Sequence, residues 1–239
     1  MVRPDPRLHG DISQWPVGLL FADRVDLYDA GVHGTKESGI FGTKGDNGAF
    51  SIVLNAGYED DDDRGDIIIY TGEGKGKPKP GQKPKPGANT QQGPQDMNSS
   101  GNAALQKNQT ERTPVRVIRG PDGNVKYSPL QGYRYDGLYY VESSYMEEGK
   151  AGFKMCKFEL RRCDDLGQDP LPLHITGQGP TDKYWSPDGP ETLAAKPRRN
   201  ANASNTDGRT VQQRNKEITG NKKLPKISFR KVTEPASRS

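Results

Sequence analysis

Between Tyr58 and Tyr70 the sequence carries five consecutive acids, Glu59 to Asp63. Carboxylates in such a run serve as a solvated loop or ring a calcium ion weakly. A tyrosine at a strand end is usually core or rim. A second chemistry follows in an imperfect tandem hexad, Lys77-Pro-Lys-Pro-Gly-Gln82 and Lys83-Pro-Lys-Pro-Gly-Ala88. Lys-Pro units favour an extended polyproline helix that holds a lysine out at every second residue. Such a segment can lie along phosphates or serve as a neutral linker at a loop tip. Conventional catalytic and metal ligands are sparse: the histidines are His9, His33 and His174, and the cysteines are Cys156 and Cys163. Two cysteines exclude a disulfide framework and a four-cysteine zinc site, and they fit a reducing compartment. No metal and no cofactor is expected.

Charge is distributed unevenly. Lys196 to Ser239 holds 12 basic and 3 acidic residues, and Glu73 to Pro94 holds 5 lysines and one glutamate. With a formal net charge of +4 for the chain, the remainder is acidic while two appendages are basic. Basic appendages suit a polyanion, because each neutralised phosphate releases counterions. The hydrophobic fraction of 30% and a mean hydropathy of -0.95 are too polar for one core spread over 239 residues. One compact domain with a disordered basic loop and tail is expected. Val17 to Phe21 is too short for a signal peptide or membrane span, which predicts no membrane association. Lys196-Pro-Arg-Arg199 and Lys222-Lys223 are candidate nuclear-import clusters.

The elements that must carry these residues are mostly strands. β-Branched and aromatic runs predict strands over Gly48–Leu54, Asp66–Thr71, Val115–Arg119, Leu138–Tyr145 and Phe153–Arg161. One helix is predicted around Ser99 to Asn108, with Ser99 or Ser100 as N-cap and Ala103, Ala104 and Leu105 as its apolar part. Pro121 to Asn124 reads as a turn. Strand periodicity ends after about Leu166.

Four collinear sets of blocks resemble the SRA (SET- and RING-associated, or YDG) domain family. They are Pro16-Val-Gly18; Gly31-Val-His33 with Ser38-Gly-Ile-Phe-Gly42; the block from Gly48 through Tyr58 and Asp61 to Gly65, with Tyr70-Thr-Gly72; and, beyond the basic loop, Asn102-Ala-Ala-Leu105, Asn108, Pro114 to Arg119 and Gly132 to Gly137. The last contains the triplet Tyr135-Asp-Gly137. The resemblance implies an α+β, mainly β fold: a PUA-like twisted β-barrel with small covering helices. The implied domain is 8–166 with a flexible insertion at 73–97, and 167–239 forms a largely disordered basic tail.

It also implies a chromatin protein that recognises 5-methylcytosine in duplex DNA by flipping the base into a pocket, with chromatin proteins as further partners; the basic clusters predict the nucleus, the sparse catalytic ligands predict a non-enzyme, and a monomer is the default expectation. In that pocket Tyr58 and Tyr70 stack on the ring, which restores contacts worth about 1–3 kcal/mol per base. Asp61 accepts from the exocyclic amine, and backbone groups of Ala56, Gly57 and Thr71 complete the base edge. His33, Glu37 and Gly39 are expected along the DNA backbone and groove, with Glu37, or Lys36 in a shifted register, filling the vacated space. Lys75, Lys77, Lys79, Lys83 and Lys85 are expected on phosphates. The Tyr135-Asp-Gly137 triplet is expected to be structural, a turn into the next strand. The alternative is a PUA-like RNA-binding or chromatin scaffold module without methylcytosine specificity. RING and SET activities would need ligands or domains that the residues outside the SRA-like block do not supply.

Overall fold

Val115 to Arg119 is a strand of alternating branched and basic residues in which all five are buried, so each face must find a partner. The computed structural model describes residues 3–12, 15–74 and 93–172. Among them run β1 (Leu20–Phe21), α1 (Arg24–Asp29), β2 (Ile40–Phe41), β3 (Ser51–Leu54), β4 (Asp62–Asp63), β5 (Ile67–Thr71), α2 (Ser100–Glu111), β6 (Val115–Arg119), β7 (Tyr133–Glu148) and β8 (Lys154–Arg162). They form one mainly antiparallel sheet in the order β2-β3-β6-β7-β8-β5-β4, with β1 on β7 and a parallel β3–β6 pair. The ladder does not close between β2 and β4. The two ends meet through side chains instead, where Gly39, beside β2, lies over the Tyr70 hydroxyl of β5. The result is the twisted, β-rich fold that the resemblance implied, as an open barrel.

Side-chain alternation sorts the sheet into two cores. Ile52, Leu54, Val115, Val117, Tyr139, Val141, Phe158 and Leu160 pack on one side with Ala104 and Leu105 of α2. Val53, Ile118 and Tyr135 face the other, covered by Ile12, Trp15 and Leu27. A register shift between Arg116 and Ile118 accompanies this division. Arg116 is fully buried there without a carboxylate partner among its described bonds. It donates instead to the main-chain carbonyls of Val32, Leu8, Gly10 and Pro6, and burial holds its pKa down at about 10.

The predicted helix is present, but its buried face is more polar than its apolar residues implied. Asn102 receives the Glu73 amide and donates to the Glu73 and Asp96 carbonyls. Asn108 receives the Ala49 amide and donates back to the Ala49 carbonyl. Ser99 occupies the N-cap without a side-chain cap bond. Glu73 supplies the anion instead, taking the Gly101 amide at 2.6 Å, which suits the positive end of the helix dipole. The strand predicted from Gly48 begins only at Ser51. Gly48 has φ of +97°, and a Cβ there would meet Asn108 at 2.8 Å.

The predicted turn at Tyr135-Asp-Gly137 is corrected, for all three lie inside the 16-residue β7. Each ties a different piece to that strand. Tyr135 reaches Asp11 at 3.1 Å in the N-terminal segment. Asp136 sits between Arg119 and Arg134, at 3.0 and 2.5 Å. Gly137, at φ +96°, leaves room for Gln168, which bonds the Leu138 amide and carbonyl and so fastens the chain after β8. Lys75, Lys77, Lys79, Lys83, Lys85 and residues 173–239 lie outside the described residues.

Candidate nucleic-acid interface

The run Glu59 to Asp63 divides by the alternation of β4. Asp62 is exposed and pairs with exposed Arg64. Asp63 turns inward and takes Arg119 Nε and Nη2 at 2.8 Å, with the Gly65 amide at 3.0 Å. Asp60 receives the Lys150 amide at 2.9 Å. No group of three or more His, Cys, Asp or Glu side chains converges on a shared centre among the described residues.

Asp61 behaves differently from its neighbours. Its carboxylate reaches across to the end of β5 and takes the Thr71 amide at 2.8 Å. Burial pushes its pKa up to about 6, against the hydrogen bonds from Thr71 and the charge of Lys157, which favour the ionised form. Half-buried Tyr58 stands beside it, its hydroxyl accepting from the Gly74 amide at 3.2 Å. Burial raises the Tyr58 phenol, and more strongly that of Tyr70, so both stay neutral donors. Ahead of them the chain is open: Ala56 and Gly57 are exposed, and a Cβ added to Gly57 would meet nothing within 4 Å. Ala56 takes the left-handed φ of +50°, which a non-glycine residue adopts at a cost. An exposed backbone edge, a half-buried carboxylate acceptor and a tyrosine wall therefore converge at one end of β5. This arrangement can receive a flat ring bearing an amine.

The other expected residues are placed unevenly. Tyr70 is only 5% exposed and belongs to the main core, so its ring is framework as much as wall. Thr71 is fully buried. Gly39 has no room for a side chain, since a Cβ would come within 2.9 Å of the Tyr70 hydroxyl. Lys36 folds back with its ammonium over the Tyr28 ring, whereas Glu37 is exposed at the tip of that loop. His33 is corrected as a residue that contacts DNA: its ring is fully buried between Ser51 Oγ and the Ser38 carbonyl, at 2.7 and 2.9 Å. Burial lowers its pKa to about 3, so it stays neutral. It acts on the loop from beneath, together with Arg24, which donates to the Thr35 and Ser38 carbonyls.

Residues 8–166 match the family model of the SAD/SRA domain. The chain belongs to this family. It is 40% identical over 173 residues to a UHRF1-like protein of Cryptococcus neoformans, which covers 70% of this chain and 49% of that protein. It is 34% identical over 245 residues to the E3 ubiquitin-protein ligase UHRF1 of Xenopus laevis, covering 91% of this chain and 31% of that one. The chain thus spans about half the length of these curated relatives, or less. Among solved structures, a modification-dependent TagI restriction endonuclease is 41% identical with a TM-score of 0.60, over 68% of this chain and 54% of that one. The SRA domain of SUVH5, solved with fully methylated CG DNA, is 36% identical with a TM-score of 0.54, over 69% and 99%. The same domain is also known with hemimethylated CG and fully hydroxymethylated CG DNA.

Sequence reasoning missed two residues of this SRA domain. Lys157 is 3% exposed and lies directly across the ladder from Thr71. Arg24 positions the loop that carries Glu37. A signal for Lys157 was present: a lysine between Cys156 and Phe158, inside a strand buried on both faces, must have an anionic or carbonyl partner.

Proposed function

We propose that this chain binds duplex DNA containing 5-methylcytosine and takes the methylated base out of the stack into the pocket of Tyr58, Asp61, Tyr70 and Thr71, with Ala56 and Gly57 at the base edge. Its own contribution is binding rather than catalysis. We place it in the nucleus as a monomer on chromatin, in keeping with relatives named as UHRF1 ligases and as the histone-lysine methyltransferase family member SUVH9 of Arabidopsis thaliana. The observation that carries the reading is the Asp61 carboxylate, held by Thr71 beside Tyr58 and in front of an open backbone edge. A carboxylate there accepts from the amine of cytosine and repels the carbonyl that thymine presents at the same position. The SUVH5 domain complexes with methylated DNA support the same partner.

The test is a salt-dependent titration of methylated duplex, unmethylated duplex and structured RNA. Methylated duplex binds most tightly if the reading holds. Tightest binding to RNA would replace it with RNA recognition, and equal binding of both duplexes would leave a scaffold. Tyr58→Ala removes one stacking face from a half-buried position, so the methyl preference falls by about 1–3 kcal/mol while nonspecific binding persists. Tyr70→Ala is a poor substitute, because a ring removed from the core leaves a cavity costing about 3–5 kcal/mol.

Deleting Gly76 to Gly87 removes four lysines. Affinity for all duplexes then falls alike, and the slope of log K against log salt flattens by up to about 0.9 per lysine engaged on phosphate. An unchanged slope, read from the same titrations, would make that segment a spacer.

A further inference from the structure

We propose that Lys157 is a positioning residue for base selection: from the strand beside the pocket it holds the Thr71 hydroxyl and supplies the counter-charge that keeps Asp61 an acceptor. This rests on the pocket reading above. Lys157 and Thr71 are register partners in the β5–β8 ladder. The ammonium donates to Thr71 Oγ1 at 3.0 Å and to the Asp60 carbonyl. A hydroxyl that accepts from an ammonium has its own proton left for an acceptor. Asp61 is the neighbouring acceptor: it takes the Thr71 amide at 2.8 Å, and the Thr71 side chain favours its ionised form. The Thr71 amide thus holds Asp61, while the Lys157 ammonium, shared between Thr71 Oγ1 and the Asp60 carbonyl, stands behind it as the counter-charge.

The electrostatic surroundings make the lysine decisive. From its own loop Asp61 faces Tyr58 and Asp60. From β5 comes Tyr70; Glu73 acts on the two tyrosines, and Glu147 at the end of β7 and Lys150 in the following turn act on Lys157. Arg24 acts on Tyr70 from α1. Lys150 is engaged with the Glu59 carbonyl, which leaves Lys157 as the buried cation bonded to the residue that holds Asp61. Burial lowers the Lys157 pKa, against the attraction of Asp60 and Asp61. Burial has already lifted Asp61 to about 6, so loss of the lysine raises the carboxyl toward neutrality. A protonated carboxyl offers a hydroxyl to the base edge and no longer selects an amine.

The experiment measures the ratio of affinities for methylated and unmethylated duplex between pH 5.5 and 9; on the pocket reading only the methylated base is extruded, so charge effects common to both duplexes cancel and the contribution of Asp61 remains. For the native protein the ratio declines as pH falls through about 6. For Lys157→Met the midpoint moves up by roughly one unit or more, an expectation drawn from an opposite charge within reach of a carboxylate. The ratio at pH 7 is then about twofold lower for a shift of one unit and about tenfold lower for a shift of two, and it returns toward the native value at pH 9. Lys157→Arg keeps the native midpoint, and Lys157→Gln behaves as Lys157→Met, because charge rather than hydrogen bonding sets the midpoint. A uniform loss across pH, an unchanged profile, or failure of both neutral variants to fold would overturn the proposal and make Lys157 framework. Asp61→Ala in the same assay separates the two ideas. If it keeps the methyl preference, the pocket reading itself fails. If it abolishes the preference while the Lys157 profiles stay native, only the role of Lys157 fails.

Discussion

Asp136→Asn is expected to cost about 3–5 kcal/mol of folding stability and to lower the melting temperature by roughly 10 °C or more. Arg119, Arg134, Asp63 and Asp136 form a buried group of two cations and two anions, all with side chains no more than 8% exposed. Arg119 also donates to Tyr139 Oη and to the Gly65 carbonyl, and the Tyr139 hydroxyl closes onto that same carbonyl. Removing one negative charge leaves two guanidinium groups sharing Asp63 in a site water does not reach. The amide keeps the shape and loses the charge, so the loss measures electrostatics rather than a cavity. Circular dichroism melts would show it. Adding Arg134→Met restores part of the loss, because it returns the cluster to neutrality. A change of only a degree or two for Asp136→Asn would mean that the cluster is hydrated and the buried-network account is wrong.

Asp61→Asn is expected to move two quantities in opposite directions. Affinity for methylated duplex falls roughly 10- to 150-fold, the equivalent of a charge-assisted hydrogen bond worth about 1.5–3 kcal/mol. The DNA-free protein at pH 8, by contrast, gains about 2–3 kcal/mol, since a carboxyl lifted from 3.8 to about 6 pays for its burial when ionised. The sign follows from proton uptake: the folded form binds the proton first, so the native protein gains stability from this group as pH falls through about 6 toward 3.8. The advantage of the variant in urea unfolding therefore shrinks between pH 8 and pH 4. Asp62→Asn is the matched control, exposed and paired only at the surface. Asp63→Ala, which adjacency in sequence would recommend, breaks the Arg119 cluster and confuses folding with binding. Equal stability of Asp61→Asn and native protein at both pH values would show that the carboxyl is not desolvated.

Local pattern was enough for the strands built on compact runs of β-branched and aromatic residues. Val115–Arg119 is β6 residue for residue, and the strands predicted from Asp66 and Phe153 correspond to β5 and β8 within one residue at either end. It failed where a polar residue is buried by a distant partner. Asp136-Gly137 reads as a turn because a charge followed by glycine usually is one. The two arginines that make the charge tolerable inside β7 are Arg119, 17 positions away, and Arg134. His33, Arg116 and Lys157 are of the same kind, with partners up to 110 residues distant in sequence. For the candidate site, the grouping of Tyr58, Asp61, Tyr70 and Thr71 came from family resemblance, since the residues by themselves left an acidic loop open. The division of labour within that loop, with one acid bonded to the end of β5, one in the core and one at the surface, depends on the β4 alternation, which two residues of strand are too short to announce.

The hold that Arg116 has on the N-terminal segment runs entirely through main-chain oxygens, those of Pro6, Leu8, Gly10 and Val32. A guanidinium bonded in this way is blind to the side chains of the strap it fastens. Over evolutionary time residues 6–10 are free to drift in identity so long as the backbone can follow the same path, as Gly10 does at φ +86°. They are not free to drift in length, for inserting or deleting one residue would carry two or three of the carbonyls out of reach and strand a buried cation. Divergent relatives that keep an arginine at this point of β6 should therefore show a segment here that varies in composition and hardly at all in spacing.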